Sequence, residues 1–311
     1  MSNILKTSRI KMSQSIREVI IGTDKHNMVK IGSQSAMPFV NQDGNITYKP
    51  QIAVEIQFLL PEKYPSELVR GWESSITEPV KWANNAKNNK ANLIALRLSG
   101  DIDSNSQLKK FINTAIEIIK STNLPLSILG TNNREIDKKV LPVIAEKMEE
   151  YNCLIGPIEE DTYKYIVPAC RDYGHCVIAR TPIDVNLAKQ LNILISELGF
   201  SPDKIVMDPN MGGLGYGLDY AYSVVEKIRI AAFEGDNMLN MPIIVFSGEE
   251  SWRTKEAKAN ISNSEWGDVQ TRATMWESLT TSSMIMAGAD IVIMRYLPSI
   301  KSISEFIKGI N

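Results

Sequence analysis

A glycine-rich segment, DPNMGGLGYG, occupies residues 208–217 and directly follows a short apolar run. Its glycines are Gly212, Gly213, Gly215 and Gly217. Glycine lets a backbone approach a ligand closely and turn its N–H groups toward it, so the segment suits a polar or phosphate-bearing ligand. The order G-G-x-G-x-G matches neither the dinucleotide fingerprint nor the P-loop, so a Rossmann-type nucleotide site is not predicted. On this segment alone, a ligand site and a merely flexible loop both stay open.

Polar side chains also follow most of the other apolar runs. They are Glu55 and Gln57, Arg97 and Asp101, Arg180 and Asp184, Asp208 and Asn210, Glu249 and Glu250, and Arg295. If the runs are parallel strands of a barrel, these residues meet at the face formed by the carboxyl ends of the strands. Barrel proteins place their working groups at that face.

A further stretch, 248–268, contains both Trp252 and Trp266, together with Glu249 and Arg253. As a connection between a strand and a helix it is unusually long, and loops of that length are commonly functional or mobile. Two tryptophans beside paired charges predict a contact surface for a large flat ligand or a protein partner. The alternative is that they only anchor the loop to the rest of the chain.

The elements that must position these residues follow a repeated pattern. Apolar runs lie at 51–59, 92–98, 125–129, 153–156, 175–179, 205–208, 242–247 and 290–295. Amphipathic helical patterns follow them at 76–89, 106–120, 136–150, 161–172, 184–198, 218–234, 269–287 and 301–309. The runs are rich in Val, Ile and Leu on both faces, as strands of a parallel sheet must be. Eight such units predict an α/β fold, a (β/α)8 TIM barrel.

The first fifty residues do not follow this pattern. VIIGTD and VKIGS flank a polar turn and predict a β-hairpin. We therefore expect residues 1–50 to form an N-terminal extension whose hairpin caps the N-terminal mouth of the barrel, and residues 51–311 to form the barrel itself.

Composition excludes several classes of function. The 34 Lys and Arg against 36 Asp and Glu give a formal net charge of -2, which does not favour nucleic-acid binding. No apolar run has the length of a membrane span, and the N-terminus has no apolar signal region, so a cytoplasmic protein is expected. With 3 Cys and 2 His, the chain offers no cysteine cluster and no histidine-rich site, so no metal ligand is predicted.

Several longer strings carry a specific resemblance. They are the segment 178–246, which includes DPNMGGLGYG, then WRTKEA at 252–257, Trp266–Gly267, MWESLT at 275–280 and AGADIVIMR at 287–295. Together they resemble the small subunit of the corrinoid iron–sulfur protein and the related delta subunit of the acetyl-CoA decarbonylase/synthase complex. The resemblance covers about residues 17–300 and is most specific within 175–295.

This resemblance implies a non-catalytic TIM-barrel subunit of a heterodimeric methyl carrier in the reductive acetyl-CoA (Wood–Ljungdahl) pathway of anaerobes. The implied cofactor is a corrinoid (cobalamin) shared with a large subunit, which also holds the iron–sulfur cluster. The implied partners are that large subunit, a methyltetrahydrofolate methyltransferase and acetyl-CoA synthase. No residue of this chain is then expected to be catalytic.

With the resemblance, the candidate corrinoid-binding residues are those at the predicted strand ends. One wall is expected from Asp208, Asn210, Gly212, Gly213 and Gly215, with Arg180 and Asp184 from the neighbouring unit; Glu249, Trp252 and Arg253 are expected to line another part of the mouth or the subunit contact. The alternative function is a free-standing pterin-dependent methyltransferase with the same barrel. Its pterin could bind the carboxylates and amide of Glu55, Asp208 and Asn210.

Overall fold

Ten strands and eleven helices are found in the described part of the chain. The computed structural model describes residues 12–39, 44–99, 102, 105–212, 217–258 and 266–310. The strands are β1 Val19–Gly22, β2 Met28–Ile31, β3 Gln51–Gln57, β4 Leu93–Arg97, β5 Leu126–Leu129, β6 Leu154–Ile158, β7 Cys176–Arg180, β8 Ile205–Asp208, β9 Ile244–Val245 and β10 Ile291–Met294. The helices are α1 Ser66–Trp72, α2 Pro79–Asn88, α3 Asn105–Thr122, α4 Arg134–Lys147, α5 Tyr163–Asp172, α6 Val185–Glu197, α7 Leu218–Phe233, α8 Ser247–Arg253, α9 Lys255–Lys258, α10 Val269–Ala287 and α11 Leu297–Lys308.

Eight of the strands form one parallel sheet. Its order is β8-β7-β6-β5-β4-β3-β10-β9, so neighbours in the chain are neighbours in the sheet except where the order passes from β3 to β10. A parallel bridge between Met207 and Ile243 joins its two ends, and the Met207 N–H donates to the Pro242 carbonyl at 2.8 Å. The sheet is thereby rolled into a nearly closed barrel, and the predicted TIM-barrel fold is confirmed.

The predicted N-terminal hairpin is present, and it packs against one end of this barrel. β1 and β2 pair antiparallel, with Val19 opposite Ile31. Their buried side chains belong to the same apolar cluster as Leu93, Leu154 and Ile291 from the barrel strands. At the start of β6, Asn152 donates from Nδ2 to the Ile20 carbonyl at 2.8 Å. The hairpin therefore lies at the amino ends of the strands, opposite the face where ligands bind in barrel proteins.

The 248–268 region differs from the sequence prediction of one long loop. Residues 247–258 contain the helices α8 and α9, and α10 begins at Val269. Sequence patterning missed α8 because its buried face is largely polar: Ser247, Glu249, Glu250 and Ser251 are all buried with Trp252. Such a helix has no apolar stripe from which it could be predicted. Residues 259–265 lie outside the described part of the chain.

A search of the described helices for membrane spans finds none of the required length and apolar character.

Candidate functional site

Glu55 forms the centre of a charged group at the carboxyl ends of the strands. Its side chain is fully buried and lies between two arginines. Arg97 donates from Nε to Glu55 Oε1 at 2.7 Å, and Arg295 donates from Nη2 to Oε1 at 2.7 Å and from Nε to Oε2 at 3.0 Å. Burial opposes ionisation of Glu55, but the two guanidinium groups outweigh it and lower the pKa from 4.5 to about 2. The Glu55 carboxylate is therefore ionised, and it accepts hydrogen bonds from Arg97, Arg295 and Gln57.

The same group extends outward through Glu249 at the start of α8. Arg97 donates from Nη2 to Glu249 Oε2 at 2.7 Å, and Arg253 donates from Nη2 to Glu249 Oε1 at 2.5 Å. We call Glu55, Arg97, Arg295, Glu249 and Arg253 the mouth network. Only Arg253, with 55% of its side chain exposed, reaches well into solvent. Because carboxylates and guanidinium groups alternate, the network presents paired charges rather than a strong field of one sign.

Arg180 and Asp208 form a second pair beside the mouth network. Arg180 donates from Nε to Asp208 Oδ2 at 2.5 Å, and its guanidinium lies 4.3 Å from the centre of the Phe246 ring. Asp208 Oδ1 accepts from the Asn210 N–H at 3.0 Å, and Asn210 Oδ1 accepts from the Gly212 N–H at 3.2 Å. Asn210 has a φ of 49°, a left-handed conformation that asparagine tolerates better than most residues. These bonds fix the start of the loop after β8.

Trp252 lies beneath the mouth rather than on its surface, with only 3% of the residue exposed. Its indole packs edge-on against Tyr296, with ring centres 5.3 Å apart, and donates from Nε1 to Glu277 Oε2 at 3.1 Å. Glu277 also accepts the backbone N–H of Arg295 at 2.6 Å, and burial raises its pKa to about 7. Trp252 thus anchors α8 to α10 and to the start of α11, and it places its neighbour Arg253. Trp266, by contrast, is 42% exposed.

The sequence-predicted site residues divide into three groups. Arg180, Asp208, Asn210 and Gly212 lie together on one side of the mouth, and Glu249 and Arg253 lie in the mouth network. Asp184 caps α6, where its carboxylate accepts the N–H groups of Asn186 at 2.7 Å and Leu187 at 3.0 Å, and Trp252 is buried as described. Gly213 and Gly215 lie outside the described residues.

Two cavities of about 610 Å³ each open at this face, beside the mouth network. Arg134, Glu159 and Arg180 line both of them. The first, which we call the side cleft, extends along α6 and also involves Thr181 and Leu187. Sequence reasoning did not single out Arg134, Thr181 or Leu187, because each was an ordinary residue at a helix or strand end.

The cysteines are poor candidates for chemistry. Cys153, Cys170 and Cys176 are free and buried, and burial raises the pKa of Cys176 to about 12. A search of the described residues finds no group of three or more His, Cys, Asp or Glu arranged to hold a metal ion.

Comparison with known sequences identifies the family. A profile of the CO dehydrogenase/acetyl-CoA synthase delta subunit family matches residues 18–305. The chain belongs to this family. Among curated relatives of the family, the acetyl-CoA decarbonylase/synthase complex subunit delta of Methanocaldococcus jannaschii is 30% identical over 311 residues, which cover 95% of this chain and 74% of the relative. Subunit delta 2 of Methanosarcina acetivorans is 29% identical and covers 93% of this chain and 69% of the relative. The family resemblance predicted from the sequence is confirmed.

Solved structures show that this family member shares its fold with dihydropteroate synthases. The Coxiella burnetii enzyme in complex with pteroic acid superposes with a TM-score of 0.57 at 10% identity, covering 95% of this chain and 100% of the enzyme. The Xanthomonas albilineans enzyme in complex with 7,8-dihydropteroate gives a TM-score of 0.56 at 10% identity, covering 87% of this chain and 98% of the enzyme. At this identity the likeness concerns the barrel alone.

Proposed function

We propose that this chain is the small subunit of a heterodimeric corrinoid iron–sulfur protein, a non-catalytic partner in a methyl carrier. The observation that carries the proposal is the match of residues 18–305 to the delta subunit family. In this role the heterodimer takes a methyl group from methyltetrahydrofolate, through a separate methyltransferase, and delivers it to acetyl-CoA synthase. The setting we propose is the cytoplasm of an anaerobe that uses the reductive acetyl-CoA pathway.

The barrel mouth is suited to a broad ligand whose edge is neutral. Glu55 and Glu249 are already bound by arginines, so the surface offers hydrogen bonds without a large excess of either charge. A corrin ring carries amide groups on its edge, which such a surface can bond while excluding water from the face of the ring. When bound, the corrinoid supplies the cobalt that carries the methyl group.

The residues proposed to hold it are those already gathered at the mouth. Arg180, Asp208, Asn210 and Gly212 form one side, and Glu249 and Arg253 form the other. Asp184 and Trp252 support this surface indirectly, by capping α6 and by anchoring α8. Gly213 and Gly215 stay predictions from the sequence.

The iron–sulfur cluster is assigned to the large subunit. An iron–sulfur cluster is held by cysteine thiolates. Here burial raises the pKa of all three cysteines, which disfavours the thiolate form.

A pterin-dependent methyltransferase is the second candidate, favoured by the barrel's likeness to dihydropteroate synthases. The ion pairs at the mouth argue against it. Glu55 is bound by Arg97 and Arg295, and Asp208 is bound by Arg180, so the carboxylates that could accept pterin N–H groups are already occupied. Binding a pterin there would require breaking buried ion pairs, which is costly.

Co-expression with its cognate large subunit tests the proposal. The expected result is a co-purifying heterodimer that contains cobalt and shows a corrinoid absorption spectrum. The isolated chain is expected to show no methyl transfer from methyltetrahydrofolate to free cobalamin. Enzyme-like turnover by the isolated chain would support the methyltransferase instead, and a chain that never co-purifies with the large subunit would contradict the carrier.

A charge reversal at the mouth tests the location. Arg253→Glu places a third carboxylate beside Glu249 and Glu250, so cobalt content per heterodimer should fall at least about threefold. The matched control is Arg171→Glu, because Arg171 is an exposed arginine near the amino ends of the strands, bonded to the Leu198 carbonyl at 2.6 Å. Equal cobalt loss in both variants would argue against the mouth as the corrinoid surface.

A further inference from the structure

The side cleft has a polar end and an apolar wall. Arg180 and Thr181 lie at the polar end, where β7 ends. Leu187, Leu191 and Leu194 form the wall, and their spacing places them along one side of α6. The cleft volume of about 610 Å³ is within the usual range for sites that enclose small molecules.

Among the arginines that the structure describes at this face, Arg180 alone has both terminal guanidinium nitrogens without a hydrogen-bond or ion-pair partner. Its Nε is bonded to Asp208, while its two terminal nitrogens have no hydrogen-bond partner among the described residues. Both terminal nitrogens of Arg253 and of Arg97, by contrast, already donate to side-chain oxygens. The Asp208 bond and the Phe246 ring hold Arg180 in place, so its free donors are fixed in direction. A fixed pair of guanidinium donors matches the two oxygens of a carboxylate or phosphate.

Thr181 provides a second, independent observation. The residue is only 6% exposed, and its hydroxyl has no hydrogen-bond partner among the described residues. A buried hydroxyl without a partner is costly for a folded protein. Thr181 lines the same cleft as Arg180, so its hydroxyl is a candidate donor to a ligand oxygen held by Arg180.

We propose that the side cleft binds a small molecule with a carboxylate or phosphate at one end and an apolar body at the other. The anionic end is held by the Arg180 terminal nitrogens and the Thr181 hydroxyl, and the apolar body packs on Leu187, Leu191 and Leu194. Arg134 lies at the rim and is paired with Glu159 and Asp161, two of the three acidic side chains that line the cleft. The site shares Arg180 and Asn210 with the corrinoid surface proposed above and extends away from that surface along α6.

Calorimetric titration of the purified chain with probes of one chain length tests the head group. Octanoate and octyl phosphate are compared with 1-octanol. At least one anionic probe should bind at least about tenfold more tightly than octanol, because charge-assisted hydrogen bonds are stronger than neutral ones. Which of the two binds more tightly distinguishes carboxylate from phosphate as the natural head group. Octanol binding as tightly as both anions would overturn the proposal.

Three variants test the residues without removing the charge that Asp208 needs. Arg180→Lys should lower the affinity for the anionic probe about tenfold, since lysine lacks the paired donors. Leu187→Ala should lower the affinity for all three probes about threefold or more. Thr181→Val should weaken binding while leaving the melting temperature equal or higher, because it removes an unpartnered buried hydroxyl. A purely structural threonine would show the reverse pattern.

The matched control is Arg171→Lys, an exposed arginine bonded to Asp172 at the opposite end of α5, which should leave every affinity unchanged. Unchanged affinity of the anionic probe in both Arg180→Lys and Leu187→Ala would place binding elsewhere and overturn the proposal.

Discussion

The two ends of the barrel both contain buried arginine–carboxylate pairs, but these pairs are built differently. At the amino ends of the strands, Arg229 is paired with Asp290 and also donates to the carbonyl oxygens of Gly288 at 2.8 Å and Met241 at 2.9 Å. Asp290 in turn accepts from the Ile243 N–H at 2.7 Å and from Gln34 at 2.7 Å. Each partner is thus bonded to backbone or side chains of the protein itself.

At the carboxyl ends, the pairs form a chain that leads outward. Glu55 is fully buried, whereas Arg253 at the outer end has 55% of its side chain exposed. The inner pairs therefore hold the strands together, and the outer groups are available to a ligand or subunit. We therefore expect buried ion pairs to serve folding at the amino end, which we call the closed end because the hairpin covers it, and to form a binding surface at the carboxyl end, where the outermost donors reach solvent.

The largest effect should come from breaking the closed end. Arg229→Met leaves Asp290 as an uncompensated buried charge, so we expect a loss of about 3 to 5 kcal/mol in the free energy of unfolding. Urea denaturation at pH 7 measures this loss. The double variant Arg229→Met/Asp290→Asn should recover part of it, because asparagine removes the charge but still accepts from the Ile243 N–H. A loss below about 1 kcal/mol would contradict the assigned role.

A somewhat smaller effect is expected from Glu55→Gln at the inner mouth. Glutamine keeps the shape but removes the charge between Arg97 and Arg295, which we expect to cost about 3 kcal/mol at pH 7. In the folded chain the pKa of Glu55 is lowered from 4.5 to about 2. The contribution of its charge to the free energy of unfolding is therefore present above pH 4.5 and is lost as the pH falls toward 2. Denaturation curves from pH 3 to pH 7 should therefore converge for wild type and variant toward the acid end. Parallel curves over that range would show that the charge of Glu55 is not what stabilises the mouth.

His175 gives the closed end a different acid sensitivity. It lies just before β7, where its Nδ1 accepts the Cys153 N–H at 3.0 Å and its Nε2 lies 2.8 Å from the Ala145 carbonyl. In the folded chain, burial lowers the pKa of His175 from 6.5 to about 4. As the pH falls, the unfolded chain therefore takes up a proton at this residue before the folded chain does. The contribution of neutral His175 is fully present above pH 6.5 and is lost as the pH falls to 4, by about 2 to 3 kcal/mol. In wild type the stabilising contribution of His175 should thus be lost at a higher pH than that of Glu55. His175→Asn should flatten the stability profile between pH 4 and 6.5, and an unchanged slope there would contradict this assignment.

Much of the barrel could be predicted because each strand is a short run of Val, Ile and Leu buried on both faces. The predicted runs 205–208 and 175–179 correspond to β8 and β7 within about one residue. Helix α1 was missed because only three of its residues, Glu67, Leu68 and Trp72, are buried. A helix this short has too few apolar positions for its period to be recognised.

The candidate site was less predictable because it depends on contacts across the barrel. The sequence places Glu55, Arg97 and Arg295 at strand ends, but their pairing joins residues as far apart as 240 positions. Trp252 was expected at the mouth surface, yet its indole is covered by Tyr296 and bonded to Glu277 from two other elements. The Thr181 hydroxyl could not be recognised as unpartnered until its surroundings were known.

The smallest effect on stability is expected at the outer end of the mouth network. Arg253→Ala removes two ion pairs, but its side chain is 55% exposed, and surface pairs of this kind contribute about 0 to 1 kcal/mol. Glu249 keeps its bond from Arg97, and burial already raises the pKa of Glu250, so that Glu250 can take up a proton rather than stay charged without Arg253. Urea denaturation should therefore show a change below about 1 kcal/mol, whereas the affinity for the large subunit or its corrinoid should fall several-fold. A loss of stability as large as that of Glu55→Gln would mean that the outer mouth also serves folding, and the contrast between the two ends of the barrel would no longer hold.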